Sequence, residues 1–250
     1  MENQHTWAEE HADYTETVNG ISFTMIAVKG GEFTMGDMFG DSDDNSETPH
    51  QVTVSDYFLG ETTVTQDLWY AVMRNNPSDC SGSDDLPVEN VSWEDAQEFI
   101  QRLNGLTGQS FRLPTEAEWE FAARERGRKV RFGNGKDVAD PEEMNFDGSH
   151  AENCSVQGVY RGETTSVKLF PPNALGLYDM SGNVWEWCED WYDIYPQKPP
   201  NDPKGPDHGD FRVRRGGSWF DFPNRCRVSY REVEKPDYCM DDTGFRLASE

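Results

Sequence analysis

Long hydrophobic runs are missing from this 250-residue chain. None approaches the roughly 18 consecutive apolar residues that a membrane-spanning helix requires. The first 25 residues also hold no basic segment followed by an apolar one, the pattern of a secretory leader. Positive charge is scarce: 22 Lys and Arg stand against 47 Asp and Glu, a formal charge of -25. Phosphates would be repelled, which excludes nucleic acid as the partner. The plain reading of the acidity is a solvated surface, with cation binding as the other. Cysteine is sparse, at 80, 154, 188, 226 and 239. An odd count without CxxC spacing indicates neither a zinc site nor a complete disulfide framework, and leaves one or two bridges open. The histidines at 5, 11, 50, 150 and 208 have no metal or triad spacing. His50, beside an expected strand, reads as a structural hydrogen-bonding group.

Internal repeats and long linkers are absent too. The polar start MENQHTWAEEHADYTE reads as a flexible tether over residues 1–18, followed by one domain over 19–250, long enough to bury a sizeable core. Phe23 to Val28 and Gln51 to Leu59 alternate as strands do, punctuated by Gly30, Gly31 and an acidic loop at 40–48. Ser92 can cap a helix whose Ala96, Phe99, Ile100 and Leu103 fall on one face, with Gly105 as its stop. Thr115 and Glu118 form a capping box opening a second helix. A third helix is expected from Thr65 to about Met73. Beyond Ala123 the chain is rich in Gly, Pro and Asn, with 8 Trp overall. An α+β fold with much irregular backbone, held by large aromatic side chains, follows.

The tail from Arg212 to Glu250 carries the most information. RGGSW (215–219) and GFRLA (244–248) bracket a run of aromatic, acidic and small polar residues. With GGEFTMGD, LPVENVSWEDAQEFIQRLN, FRLPTEAEWEFAAR and FPPNALGLYDMSGNVWEW upstream, this frame resembles the formylglycine-generating enzyme, or sulfatase-modifying factor, family from about Gly30 to Ala248. The resemblance implies that family's variant of the C-type-lectin-like fold, with the C-terminal segment as an exposed ligand or active-site face. In the family's oxidases, two cysteines lie three and eight residues after the serine of GGS. Here the second position is Cys226 but the first is Asp221. A copper(I) thiolate pair or a cycling dithiol needs two sulfurs. The cysteine pair is incomplete, so no catalytic residue and no copper are expected. No partner histidine is suggested for Cys226 as a lone nucleophile, and a buried or disulfide-bonded thiol is favoured, with Cys239 as one conceivable mate.

The same family includes non-catalytic variable proteins of diversity-generating retroelements. Their tails read RGGSW, a variable stretch, CRVS, Arg, a second variable stretch, then GFRLA. Cys226, Arg227, Val228, Ser229 and Arg231 match that pattern. Adenine-directed mutagenesis of AAC or AAT codons reaches Phe, Asp, Asn, Tyr, Cys, Arg, Val and Ser but not Glu, Lys, Met, Gln or Trp. Phe220, Asp221, Phe222, Asn224, Arg225, Tyr230, Val233, Asp237, Tyr238, Asp241 and Asp242 are reachable, whereas Glu232, Glu234, Lys235 and Met240 are not. The binding-surface candidates are Trp219 to Phe222, Asn224, Arg225 and Tyr230 in the first stretch. In the second they are Glu232, Val233, Glu234, Asp237, Tyr238 and Met240 to Asp242. Exposed aromatics beside adaptable polar groups give contact area at low entropic cost. The alternative for Phe220 and Phe222 is core packing, which is also the reading for Trp185, Trp187 and Trp191.

The resemblance also implies a structural calcium site mapping onto Asp179, Gly182, Val184 and Glu186, two carboxylates with two main-chain carbonyls, a plausible hard-cation set. The other reading is that Glu186 satisfies buried loop amides. A second family site maps to Asn145 and Phe146, but Val159 stands where its aspartate belongs and Arg161 nearby adds a cation, so it is expected to be absent. The loop Asp41, Asp43, Asn45, Glu47 has the odd spacing of an EF-hand start, but lacks its Gly and terminal Glu and reads as solvated. The resulting expectation is a lectin-like binding protein whose C-terminal face takes a protein or glycan. It would stand at the cell surface or otherwise outside the cytoplasm, its leader or lipid anchor lying outside this sequence; a cytoplasmic location is the alternative. The rivals are a formylglycine-forming oxidase acting on a cysteine-containing peptide and a fixed-partner domain of the same family.

Overall fold

Asn19 and Gly20 both adopt left-handed φ values, 50° and 88°, the conformation that a two-residue hairpin turn demands. They join β1 (Tyr14–Val18) to β2 (Ile21–Val28), with Val18 opposite Ile21. The computed structural model describes residues 12–42, 45–196 and 201–250. The elements that follow are β3 (Gly31–Met35), β4 (His50–Val54), β5 (Tyr57–Gly60), helices α1 (Gln66–Met73), α2 (Trp93–Thr107) and α3 (Glu116–Ala123), then β6 (Trp185–Trp191), β7 (Arg212–Arg215), β8 (Arg231–Glu234), β9 (Thr243–Gly244) and β10 (Ala248–Ser249).

The strands form three sheets among the described residues. One is antiparallel in the order β1-β2-β5-β10, which brings the two ends of the domain together. The β3-β4 hairpin is separate. The third has the order β8-β7-β6-β9, with β9 parallel to β6. α1 and α2 pack on the first sheet through Leu68, Trp69, Phe99 and Leu103; the Trp69 and Phe99 rings stack at 5.3 Å. α3 lies between the hairpin and the third sheet, with Trp119 and Phe121 packed among Phe33, Val213 and Val228. Burial of these aromatics supplies roughly 1.5–3 kcal/mol each.

Most of the expected elements are present, with informative differences. Ser92 and Thr115 both close capping boxes, receiving the backbone N–H of Asp95 and Glu118. Gly105 does not end its helix: the chain continues to Thr107, and Gly108 takes the left-handed C-cap at φ 74°. An exposed helix tolerates a single glycine at a cost of about 1 kcal/mol. The run from Gln51 to Leu59 is two strands in different sheets, broken at Ser55 and Asp56, where the Asp56 carboxylate receives the Gly30 N–H at 2.7 Å. The expected tether over residues 1–18 is corrected at its end, because Tyr14–Val18 is a fully paired strand. Residues 1–11, with His5 and His11, lie outside the described residues, as does Asp43.

Candidate functional site

The frame of the tail is held by arginines that do not reach solvent. Arg215, which ends β7, donates to the Val228, Ser229 and Tyr230 carbonyls at 2.6–2.8 Å and pairs with Glu120 of α3. Arg227 makes a bidentate pair with Glu47 at 2.8 and 3.0 Å. Arg231 does the same with Glu116 at 2.6 and 2.8 Å, and Arg246 with Glu186 at 2.6 Å on both oxygens. RLPTEAEWE therefore acts as more than a helix start. Its capping box fixes the first turn, Arg112 pairs with Glu118 at 2.6 Å, and Glu116 and Glu120 receive arginines from the tail. Burial raises the Glu120 carboxyl, but Arg124 and Arg215 more than offset this and hold it below its ordinary range.

On this frame the stretches between the arginines face outward. Phe220 is 63% exposed, Phe222 47% and Tyr238 48%. Asn224, Arg225, Asp237 and Asp241 are exposed as well. Trp219, Tyr230, Glu232, Val233, Glu234 and Met240 are half-buried, and Trp219 stands edge-on to Phe220 with ring centres 5.6 Å apart. The core alternative for Phe220 and Phe222 is thereby removed. A 3-10 turn at Pro223–Cys226 separates the first outward group from the inward CRVS segment.

Two candidates of the surface set point inward. Asp221 is only 6% exposed; its carboxylate accepts from the Ser218 N–H at 3.1 Å and the Ser218 hydroxyl at 2.6 Å. Asp242 is also buried and accepts from the Thr243 hydroxyl at 2.7 Å. Each satisfies a turn that would otherwise leave buried donors unpaired, so neither side chain contributes to the surface. Cys226 is fully buried, and burial followed by the nearby Asp221 pushes its thiol well above the ordinary range. Cys239 is exposed and all five cysteines are free thiols, so the conceivable Cys226–Cys239 bridge is not formed. A protonated, enclosed thiol beside a carboxylate is a poor nucleophile.

The calcium set comes together only in part. Asp179 sits in a left-handed turn at φ 56°, and Gly182 and Val184 are buried. Both Glu186 oxygens, however, are taken by the Arg246 guanidinium, and one also accepts from Trp119 Nε1 at 2.8 Å. A fixed cation already neutralises the carboxylate that the resemblance assigns to the metal, and this donor set does not fit calcium through the Glu186 side chain. Burial lifts the Asp179 carboxyl to about 6, against the opposing Lys168 N–H and Arg246, with Glu186 adding to the rise. Among the described residues, no group of three or more His, Cys, Asp or Glu is arranged for a metal ion. The acidic loop is not simply solvated either, since Glu47 is buried on Arg227 and Asp41 pairs with Arg131 at 2.7 Å. His50 Nδ1 lies 3.0 Å from the Thr48 carbonyl, as a structural hydrogen-bonding group should.

Sequence reasoning missed the loop at 147–160. The Asp147 N–H donates to the Asp221 carbonyl at 2.9 Å, and the Asn224 N–H to Glu152 at 3.1 Å. Tyr160 is 39% exposed and stacks 6.4 Å from Trp219, while His150 meets Phe222 edge-on at 6.1 Å. This loop extends the aromatic surface with side chains outside the tail. The only signal in the sequence was an aromatic in a glycine-bearing segment, and nothing there indicated its neighbour.

Comparison with known proteins follows the same lines. A sulfatase-modifying factor enzyme 1-like domain matches residues 13–250. The formylglycine-generating enzyme of Streptomyces coelicolor is 31% identical, over 90% of this chain and 89% of its own length. A serine/threonine-protein kinase, pkn1, of Chlamydia pneumoniae is 30% identical over 90% of this chain, which spans 37% of that protein. Among solved structures, Treponema denticola variable protein 1 superposes with a TM-score of 0.81 at 31% identity, covering 96% of this chain and 99% of its own. PvdO from Pseudomonas aeruginosa gives 0.73 at 27% identity, covering 91% and 94%. With its tail arginines, its capped glutamate-rich helix and its irregular α+β architecture, the chain belongs to the sulfatase-modifying factor family and is similar in structure both to that family's members and to a variable protein.

Proposed function

We propose that this protein is a non-catalytic binding protein whose C-terminal surface, diversified at the exposed positions of the tail, takes a protein or glycan ligand outside the cytoplasm. The observation that carries the reading is the division of labour in the tail. Phe220, Phe222 and Tyr238 face solvent, while Arg215, Arg227, Arg231 and Arg246 are locked inside by carboxylates. Such a surface can change without cost to the fold. Aromatic side chains, tryptophan and tyrosine above all, are enriched among the few residues that carry most of the energy in protein recognition.

The rival reading is an oxidase, favoured by the identity to formylglycine-generating enzymes. At the position of their first cysteine, the Asp221 carboxylate is spent on Ser218, and Cys226 is enclosed. The test is oxygen consumption by the purified protein with copper(I) and a cysteine-containing peptide. No consumption above the copper blank is expected, and turnover would overturn the non-catalytic reading. Asp221→Cys alone is expected to remain inactive, because a metal site also depends on the groups that orient its ligands; peptide oxidation by that variant would show otherwise.

A further inference from the structure

A cavity of about 280 Å³ opens on another side of the frame, and none of the outward tail residues lines it. Its walls are apolar: Trp191, Ile194, Tyr195, Pro203 and Pro206. Its floor holds Glu116, Arg231 and Asp190, all buried. Arg231 and Glu116 neutralise each other through their bidentate pair, and the Tyr195 hydroxyl donates to Glu116 at 3.2 Å. Asp190 is different. One of its oxygens accepts the Glu116 N–H at 2.8 Å, but among the described residues no lysine or arginine stands within ion-pairing distance of it, and Arg231 and Arg212 act on it only from further off. A buried carboxyl without a cation is costly when ionised. Burial, followed by the Glu116 charge, pushes Asp190 well above the ordinary carboxylate range. The hydrogen bond from Glu116 satisfies the first amide of α3, and a strongly perturbed acid lining a cleft is also a functional-site candidate.

We propose that this cavity binds a small molecule bearing a primary ammonium group on a single-ring apolar body, with the ammonium against Asp190 and the ring between Trp191, Tyr195 and the two prolines. The volume falls just below the range of small-molecule pockets, roughly 300–1,000 Å³, which limits the body to one ring. The charge of -25 draws cations toward the protein. The groups that face Asp190 are Glu116 and Glu118 from α3, Arg231 from β8, Arg212 from β7, whose guanidinium lies over the Trp191 ring, and Cys188 from β6; Asp193, Tyr195, Lys204 and His50 complete the charged and titratable lining. Arg231 is already spent on Glu116 and Lys204 offsets Asp193, so the charge left for a ligand is that of Asp190 once it ionises. Binding of an ammonium takes the proton from Asp190, and affinity therefore rises with pH.

The experiment is titration calorimetry of the full chain with phenethylammonium, phenethyl alcohol and phenylacetate at pH 6 and pH 8. Saturable binding of the ammonium alone is expected, several-fold tighter at pH 8. Asp190→Asn, which keeps an oxygen for the Glu116 N–H, is expected to weaken it at least tenfold. Should that variant not fold, Ile194→Ala at the exposed rim is expected to weaken the ammonium a few-fold with the melting temperature unchanged. Absence of ammonium binding, equal affinity for the alcohol, or full affinity in folded Asp190→Asn or Ile194→Ala would each overturn the proposal.

Discussion

Arg215 and Phe220 stand five residues apart in the tail and obey opposite rules. The arginine is fully enclosed, with carbonyls from three residues and a carboxylate around one guanidinium. The phenylalanine is the large apolar side chain that a core would normally claim, and it is mostly in solvent. The same inversion recurs between Arg231, buried against Glu116, and Tyr238, half exposed. In this tail, buried arginines join Val213, Val228 and Phe245 in the interior, while Phe220, Phe222 and Tyr238 are displayed. A planar guanidinium can tie several irregular backbone carbonyls at once, which short strands and loops need and an aliphatic side chain cannot provide. Phe220, Phe222 and Tyr238 are thereby released from structural duty.

The largest effect should come from breaking the frame. Arg215→Ala leaves Glu120 buried between fewer cations and should cost about 3–5 kcal/mol, measured by urea unfolding. The pH response has a definite sign. Glu120 is held below its ordinary range in the folded protein, so its contribution is present above the unfolded value and is lost as pH falls through the lower folded one. The wild type should therefore lose stability in acid more steeply than Arg215→Ala. An intermediate effect belongs to Asp221→Ala, which strips the carboxylate from two Ser218 donors and should cost about 1–3 kcal/mol. Asp221→Asn should recover part of it. The smallest effect is expected at the display positions: Phe220→Ser and Phe222→Ser should each change stability by less than about 0.5 kcal/mol. A loss comparable to that of Asp221→Ala would erase the distinction between frame and display.

Much of the frame was legible in the sequence, for reasons that differ by element. The capping boxes at Ser92 and Thr115 are local, and local patterns read directly. The family phrases located the frame without explaining it, because each arginine meets a partner far along the chain. Arg227 and Glu47 are 180 residues apart, and Arg246 and Glu186 are 60. That distance is also why the resemblance could assign Glu186 to calcium: nothing local to Glu186 showed a guanidinium arriving from Arg246, just before the last strand. The inward turn of Asp221 depends on a hydrogen bond with Ser218, three residues away, which codon reachability does not register. Tyr160 and His150 belong to the surface only through a loop docked against the tail.

The most direct test of the frame-and-display account is to sequence the codons for residues 212–250 in many subcultures of one strain. The account predicts adenine-confined substitutions at outward positions, among them Phe220, Phe222, Asn224, Tyr238 and Asp241, with Arg215, Arg227, Arg231 and Arg246 unchanged. An invariant tail, or substitutions falling equally on the arginines, would contradict it.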